Sequence, residues 1–375
     1  MPTPEPHPPE QFDVVCLTSR EALLACRPEW ETLLAETGNR NIFLEWQWSF
    51  TWLSIFDAKP WIVLIRDLAG RLIGVVPWML ERRQGVRQIR FVGAGLAQPD
   101  HLDLIAHPSQ MDTVAHALAL WLNTQRNQWD ILKLDSLDQD SRLPAALDKI
   151  LKPGLRRPTT PCPYIDLSDI QDWTQFQQAR LSAHMRSKGL RYLQNVLNRE
   201  NPGQVFYEQV TDPAAVSTAL ECLITQHRER WAEKETYTPF EDEQFLNFHR
   251  TFATEAMRRG WLGLYRLRVG EQTIATVYGF HYGDKFFDYQ HALDNNWSKV
   301  SPGRQLISFI VQDAIARGHS EYDFLCGTEK YKYSWTQTER HDQNIIWFNG
   351  LRGCLWKQAL LLKQKLKRAQ TGEEA

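Results

Sequence analysis

The stretch that decides the fold of this chain runs from Asn296 to Leu306 and reads Asn-Trp-Ser-Lys-Val-Ser-Pro-Gly-Arg-Gln-Leu. It follows an aromatic strand pattern, Phe286 to Leu293, and precedes an amphipathic segment with helical periodicity. Ser301 is a favourable N-cap residue, and Pro302 suits the first helical position because its missing N–H would have no partner there. We therefore predict a strand, a short connection and a helix that begins at this stretch.

The start of this helix is also a candidate anion site. Gly303 has no side chain to cover the first turn, so the N–H groups of Gly303, Arg304 and Gln305 can point at a negatively charged ligand. Together with Ser301 and Pro302, these residues form the predicted phosphate-binding segment. The alternative is a well-capped helix without a ligand, because Ser-Pro-Gly is common before helices.

Length, composition and charge limit the class of protein. The chain has 375 residues, of which 43% are hydrophobic and 23% charged, as is typical of a soluble globular protein with two domains. The net charge of −2 provides no basic field, so we predict no DNA partner. No apolar run approaches the roughly 20 residues of a membrane span. The Pro-rich, polar residues 1–11 are expected to be a disordered tail and not a signal peptide.

The six cysteines are widely scattered in the sequence: Cys16, Cys26, Cys162, Cys222, Cys326 and Cys354. They form no Cys-x-x-Cys pair and have no histidine at metal-ligand spacing. We therefore predict reduced thiols, no disulfide framework, no metal site and a cytoplasmic protein.

The sequence divides at a Pro-rich segment, residues 152–163, and a pattern recurs on its two sides. The pattern W-x-x-L-x-R-x-x-x-G begins at residue 61 and again at residue 261. In both halves hairpin strands lead to a long helix and a further strand, which predicts a duplicated α/β unit. The expected domains are 12–160 and 161–350, followed by a basic amphipathic helix and tail, 351–375. Only the second half has Ser-Pro-Gly-Arg at its helix start, so the anion ligand is assigned to that half.

Three titratable side chains of the second half are the candidate catalytic residues. Asp288 and His291, on the strand before the opening stretch, are candidate general bases. Regular alternation predicts Asp288 on one face of the strand and His291 on the other. Tyr331, in a loop after a later strand, is a candidate general acid. The alternatives are ordinary sheet residues satisfied by their neighbours and a solvated polar loop.

The candidate substrate-binding residues lie on two helices and in the same loop: Arg186, Arg191, His227, Arg230, Trp231, Glu329 and Lys332. Arg191 belongs to a basic stripe, with Arg180 and Lys188, on a helix predicted from Arg180 onward; a solvated face is the alternative. For the helix with His227 and Arg230, the alternative is a buried contact between arginine and a carboxylate.

The C-terminal segment from residue 351 to residue 368 differs from the rest of the chain. It has six basic residues, no acidic residue and a helical stripe formed by Leu351, Leu355, Leu362 and Leu366. Docking of this helix onto its own domain is one interpretation. Peripheral contact with an anionic membrane, such as the inner membrane, is the other.

Several segments in this order carry a family resemblance: residues 162–167, the basic helix around Arg186 and Arg191, His227-x-x-Arg230-Trp231, the hairpin Ile274 to Leu293, Ser301 to Arg304, and Tyr322 to Lys332. The chain resembles the GNAT-superfamily acetyltransferases of the cellulose-biosynthesis type, which are related to the Fem peptidyltransferases. The resemblance covers residues from about Phe12 to Leu366. It implies an α/β (α+β) fold of two tandem GNAT-like units, each a mixed, mostly antiparallel sheet flanked by helices.

The resemblance also implies a function in polysaccharide biosynthesis. It implies N- or O-acyl transfer from acetyl-CoA or another acyl-CoA, whose pyrophosphate would bind at the Ser301 helix, to a sugar or other cell-surface or exopolysaccharide precursor. A small-molecule or saccharide acceptor would attack the thioester directly, without a metal. One alternative is a Fem-like transferase that uses aminoacyl-tRNA, which would make tRNA a partner. Another is a non-catalytic scaffold or carbohydrate-binding subunit. The lack of a long helical-hairpin insertion favours CoA.

Overall fold

The computed structural model describes residues 12–232 and 238–371, and the chain divides into two compact units. Within the described ranges, unit 1 comprises the residues up to Asn39, Phe43–Thr159 and the residues from Asp342 onward. Unit 2 comprises Arg40–Ile42 and Thr160–His341. The chain therefore enters unit 2 within the Pro-rich segment and returns to unit 1 within its last strand. The C-terminal helix belongs to unit 1, whereas the sequence predicts one domain over residues 161–350 and a separate tail over residues 351–375. The predicted disordered tail, residues 1–11, lies outside the described residues.

Unit 1 contains most of the first half of the chain. Its elements are β1 (Asp13–Leu17), α1 (Arg20–Ala25), α2 (Arg27–Thr37), α3 (Trp46–Ile55), β2 (Ile62–Arg66), β3 (Leu72–Val76), β4 (Trp78–Arg83), β5 (Val86–Phe91), β6 (Ile105–Ala106), α4 (Met111–Thr124), β7 (Ile131–Leu137) and α5 (Leu143–Ile150). Strands β1, β2, β3 and β6 form an antiparallel sheet in that order. Strand β4 is antiparallel to β5, and β5 is parallel to β7.

Unit 2 is entered through a long strand that starts in unit 1, and the chain leaves it through another that ends there. Its elements are β8 (Leu155–Asp166), α6 (Trp173–Arg180), α7 (Leu193–Glu200), β9 (Val205–Gln209), α8 (Val216–Ala232), α9 (Glu243–Arg258), β10 (Leu262–Val269), β11 (Gln272–Tyr282), β12 (Lys285–Leu293), α10 (Pro302–Ala316), β13 (Glu321–Asp323) and β14 (Glu339–Phe348). The strand order within this unit is β8-β13-β12-β11-β10-β9, with β12 and β13 parallel and the other neighbours antiparallel.

The final elements return to unit 1. Strand β14 pairs with β7 in antiparallel fashion, and α11 (Gly350–Thr371) follows it. Within the described ranges, no helix is both long and apolar enough to cross a membrane. The prediction of a mixed, mostly antiparallel α/β fold flanked by helices is confirmed.

The core of unit 2 depends on the helix that the opening stretch predicts. Helix α10 contacts β10, β11 and β12 through a stripe that includes Leu306, Ile310 and Val311, all of which are fully buried. The four-residue spacing puts Leu306 and Ile310 on one helix face, and Val311 extends this buried face by about 100°. Full burial of each contributes about 1.5–3 kcal/mol, so the packing of α10 fixes the position of its first turn against the sheet.

A disulfide in unit 2 corrects the prediction of six reduced thiols. Cys162 on β8 and Cys326 after β13 are bonded, with a sulfur–sulfur distance of 2.00 Å. They are 164 residues apart in the sequence, and the ladder brings them together because Phe324 N–H donates to Pro163 O over 3.1 Å. The spacing of the cysteines in the sequence does not predict this pair, because the two residues become neighbours only when their distant segments pair in the fold. In the described part of the chain the other four cysteines are free.

The packing of α9 on the sheet buries a histidine completely. His249 is 0% exposed, and its ring lies edge-on to Phe245 at 4.3 Å between centroids. Among the residues that the structure describes, its Nδ1 has no hydrogen-bond partner. Burial lowers the pKa of His249 to about 3. The folded state therefore holds this imidazole neutral at pH values where the unfolded chain, with a pKa of about 6.5, takes up a proton.

This difference predicts a pH dependence of stability. The contribution of His249 is fully present above about pH 6.5 and declines as the pH falls, by about 2 kcal/mol between pH 7 and pH 5. Urea unfolding of the wild type should show a free energy of unfolding that falls between pH 7 and pH 5. In His249→Phe this fall should be smaller by about 2 kcal/mol. Replacement of the exposed His184 by Phe is the matched control and should behave as the wild type. An unchanged difference in His249→Phe would contradict the assignment.

Candidate functional site

Unit 2 has a cavity of about 270 Å³ at the start of α10. Its walls come from α8, the end of β12, the first turns of α10 and the loop after β13. The residues that line it are Arg230, His291, Leu293, Ser298, Ser301, Pro302, Gly303, Arg304, Ile307, Tyr331, Ser334 and Trp335. The cavity thus combines predicted anion-binding residues with two of the three predicted catalytic residues.

The first turn of α10 leaves two amides unoccupied. Ser301 is the N-cap residue of α10, as predicted, but it adopts the left-handed conformation with φ of 49°, and its side chain makes no capping hydrogen bond to the described residues. The Gln305 N–H donates to Ser301 O over 3.2 Å, and the Gln305 side chain is buried and donates to Leu190 O over 3.3 Å. Of the three predicted amides, only those of Gly303 and Arg304 are therefore open to a ligand. Among the described residues neither has an acceptor.

Two arginines bring positive charge to the same cavity. Arg304 on α10 and Arg230 on α8 line it, and neither forms a hydrogen bond or ion pair with any residue in the described ranges. Arg304 lies beside Gly189, where a Cβ atom would come within 3.4 Å of its Nη1. Two unpaired guanidinium groups next to a helix N-terminus favour a ligand with more than one negative charge.

A histidine and a carboxylate are joined at the wall of the cavity. Asp288 is buried; its Oδ1 contacts Nε2 of His291, and its Oδ2 accepts a 2.9 Å hydrogen bond from the Tyr322 hydroxyl. A carboxylate beside Nε2 favours the tautomer that carries the proton on that atom. Nδ1 of His291 then keeps its lone pair and is the ring nitrogen available to accept a proton.

This pairing corrects the predicted placement of Asp288 and His291 on opposite faces. Strand β11 pairs Gly279 with Asp288 and Tyr278 with Gln290, so that one residue of β12, Tyr289, is skipped. This bulge inserts one extra residue and inverts the alternation from that point onward, so that positions i and i+3 share a face. Gly279 permits the close approach, because a Cβ atom there would lie 2.3 Å from Phe287 O.

Tyr331 lies beside His291, with 5.3 Å between the ring centroids. Desolvation of the hydroxyl, with the nearby carboxylates of Asp288 and Glu329, raises the pKa of Tyr331 well above its ordinary value; Arg230 acts in the opposite direction. Tyr331 is therefore protonated at neutral pH and can donate a hydrogen bond or a proton into the cavity.

Lys332 and Glu329 stabilise the loop that carries Tyr331 and do not line the cavity. The buried Lys332 ammonium donates to Leu325 O over 3.2 Å and to Cys326 O over 3.1 Å, and it lies 2.9 Å from a Glu329 carboxylate oxygen. Both residues thus have structural partners, and their contact with a substrate stays a prediction.

The other residues predicted on α8 also have structural partners. His227 is buried, stacks on Trp231 and shares a 3.0 Å hydrogen bond with the Thr238 hydroxyl. Of the three predicted residues on this helix, only Arg230 lines the cavity.

The predicted basic stripe does not form on one helix. Helix α6 ends at Arg180, and the next turns, Met185–Tyr192, are π-helical, which changes the spacing of side chains. Arg186 donates to Gln177 O and Leu181 O, at 3.0 and 2.7 Å, and so holds the end of α6. Arg191 is exposed and is not in the cavity wall.

Sequence reasoning missed the residues that act through tertiary contact. Tyr322 holds Asp288, and Trp335 and Ile307 form apolar walls of the cavity. The aromatic run from Tyr322 to Trp335 was the available signal, but only the fold shows which rings face the cavity.

Comparison with known proteins agrees with this architecture. A family model described as an acetyltransferase (GNAT) domain matches residues 184–333, which lie within unit 2 and include every cavity residue except Ser334 and Trp335. No match is found among curated protein sequences.

Solved structures resemble the chain over most of its length. FemX has a TM-score of 0.58 at 11% identity, over 92% of this chain and 99% of that one. A conserved protein of unknown function from Bacteroides thetaiotaomicron has a TM-score of 0.56 at 13% identity, over 89% of this chain and 100% of its own. The C-terminal domain of a putative lysylphosphatidylglycerol synthetase from Agrobacterium fabrum has a TM-score of 0.52 at 9% identity, over 91% of this chain and 96% of its own. Such identities show a shared fold alone, and the acetyltransferase (GNAT) domain model matches residues 184–333 of that fold.

The loop after β13 provides a test of the site geometry. Lys332→Met removes a charged donor from its buried acceptors, so we expect the free energy of unfolding to fall by about 2–3 kcal/mol. Urea denaturation measures this change, and Lys330→Met, at an exposed neighbouring position, should change it by less than about 0.5 kcal/mol. Equal stability of the two variants would show that Lys332 does not stabilise the loop.

Proposed function

We propose that this protein is an acyl-CoA-dependent N- or O-acyltransferase. The observation that carries the proposal is the convergence of three features in one cavity of the matched GNAT domain. These are two amides and two arginines that have no partner among the described residues, and a histidine paired with an aspartate. The first two features suit the pyrophosphate of CoA, and the third suits removal of a proton from an acceptor.

The donor side of the cavity is the start of α10. The amides of Gly303 and Arg304, with the side chains of Arg304 and Arg230, would hold the pyrophosphate. Ile307 and Trp335 supply apolar surface for the uncharged part of the donor. Bound acyl-CoA supplies a thioester whose carbonyl carbon is open to attack and whose thiolate can leave.

The acceptor side is formed by His291 and Tyr331. His291 accepts the proton of the attacking amine or hydroxyl at Nδ1, while Asp288 stabilises the resulting charge through Nε2. Tyr331 donates its proton to the departing sulfur and recovers one from solvent or from His291. The acyl–sulfur bond breaks as the new amide or ester bond forms, so no covalent enzyme intermediate is needed.

The identity of the acceptor is inferred from the family resemblance alone. We take it to be a sugar or other precursor of a cell-surface polysaccharide. An aminoacyl-tRNA donor would use the same acyl-transfer chemistry but would not require the phosphate-binding features at α10.

Binding of the donor is the direct test. Calorimetry with acetyl-CoA should show binding to the wild type, and Arg304→Ala should weaken it by about 1.5–3 kcal/mol, roughly 10- to 150-fold in Kd. The matched control is Arg199→Ala, which removes an exposed charge of the same unit outside the cavity. No binding by the intact protein would exclude the CoA assignment, and transfer from aminoacyl-tRNA would support the Fem-like alternative.

The roles of His291 and Asp288 give a kinetic prediction. In Asp288→Asn the Tyr322 hydroxyl fixes the amide oxygen, so the amide NH₂ faces Nε2 and the proton moves to Nδ1. We expect kcat to fall about 100-fold or more, with little change in KM for acetyl-CoA. Release of the CoA thiol in the presence of amino-sugar acceptors measures this.

Tyr322→Phe is the comparison variant, because it removes one bond to Asp288 but keeps the carboxylate beside His291. It should lose less activity than Asp288→Asn. If His291→Ala retains full kcat, His291 is not the base. Binding without turnover for every acceptor would instead favour a scaffold.

A further inference from the structure

Helix α11 docks on unit 1 through one of its faces. Trp356 and Leu360 pack against a small cluster formed by Val86, Ile131 and Ile346. Lys357 lies over the Phe348 ring at 5.6 Å, on the same side. This contact agrees with the first interpretation of the segment, in which the helix covers its own domain, and it fixes the orientation of the helix.

A second apolar stripe lies on the opposite face of α11. Leu351, Leu355 and Leu362 are 85%, 71% and 59% exposed. At 100° per residue they fall within about 40° of one another, and roughly 160° from Leu360. Folding of unit 1 does not use this stripe, so its three leucines are left in water.

Basic side chains border this stripe on both sides. Arg352 and Lys363 lie on one flank and Lys365 on the other, and all three are exposed. The helix contains no acidic residue along its length. Exposed leucines with cations on both flanks are the arrangement of a helix that lies in a bilayer surface, with apolar side chains among the acyl chains and cations at lipid phosphates.

Charge distinguishes this partner from a second copy of the chain. Two α11 helices that shared their leucine stripes would place Arg352, Lys363 and Lys365 of both copies together, without an acidic residue on either helix to balance them. We propose that the exposed face of α11 binds an anionic lipid bilayer surface and holds the protein peripherally on it. This inference does not depend on the acyltransferase assignment.

Flotation with lipid vesicles tests the proposal on the full chain. We expect at least about tenfold stronger binding to phosphatidylcholine vesicles that contain roughly 30% phosphatidylglycerol than to phosphatidylcholine alone. Raising the salt from about 0.05 to 0.5 M should weaken this binding by a similar factor, since it screens the cations.

Two sets of variants separate the leucines from the cations. Leu351→Ser, Leu355→Ser and Leu362→Ser together should reduce vesicle binding about tenfold or more, and Arg352→Gln, Lys363→Gln and Lys365→Gln together by a similar factor. The matched controls are Leu24→Ser with Leu68→Ser, which are 49% and 78% exposed, and Arg142→Gln with Arg199→Gln. The controls should bind as the wild type does.

Circular dichroism and thermal unfolding measure whether each variant is folded. If the triple leucine variant does not fold, the single variant Leu355→Ser takes its place. Absence of binding to anionic vesicles at low salt overturns the proposal, as does equal binding by wild type and both α11 variants. A dimer in sedimentation that the leucine variant dissociates would assign the stripe to a second copy and would also overturn it.

Discussion

The contact between Asp288 and His291 is the constraint on which the candidate site depends. It exists because β12 carries one extra residue opposite Tyr278 and Gly279, which turns two side chains three positions apart to the same face. A regular strand would have left the carboxylate and the imidazole on opposite faces of the sheet. The bulge therefore converts a structural strand into one that holds a polarised histidine at the wall of a cavity.

The charge at the start of α10 follows a similar logic. Arg304 and Arg230 lie in the cavity without an acidic partner among the described residues, although unit 2 satisfies many of its other arginines, such as Arg268 with Glu208 and Arg340 with Glu321. The two guanidinium groups and two amides thus depart from the internal pairing found elsewhere in the described part of unit 2. Such local violations are characteristic of ligand sites, where the missing partner arrives with the ligand.

The two units use one order of elements with different outcomes. In each unit, an antiparallel hairpin with a bulge precedes a helix and then a strand. In unit 1 the hairpin is β2–β3, the helix is α4 and the strand is β7; in unit 2 they are β10–β11, α10 and β13. In unit 1 the helix is preceded by a short 3₁₀ turn, where the His107 side chain accepts a hydrogen bond from the Ser109 N–H. A side chain thus occupies the amide that a ligand would use there, whereas the amides of Gly303 and Arg304 in unit 2 have no acceptor in the described part of the chain.

The sequence by itself determined most of the elements and indicated the region of the candidate site. Hydrophobic periodicity predicts α10 and its neighbouring strands, and the Pro-rich segment predicts the crossing between the units. Local chemistry indicates the candidate residues Ser301 to Arg304, His291 and Tyr331. Only the tertiary structure decided which of these act together. The bulge in β12, the disulfide between Cys162 and Cys326, the internal use of Lys332 and His227, and the π-helical turn that breaks the basic stripe all depend on pairing between distant segments. Local patterns cannot encode such pairing, because register and packing are set by residues far apart in the chain.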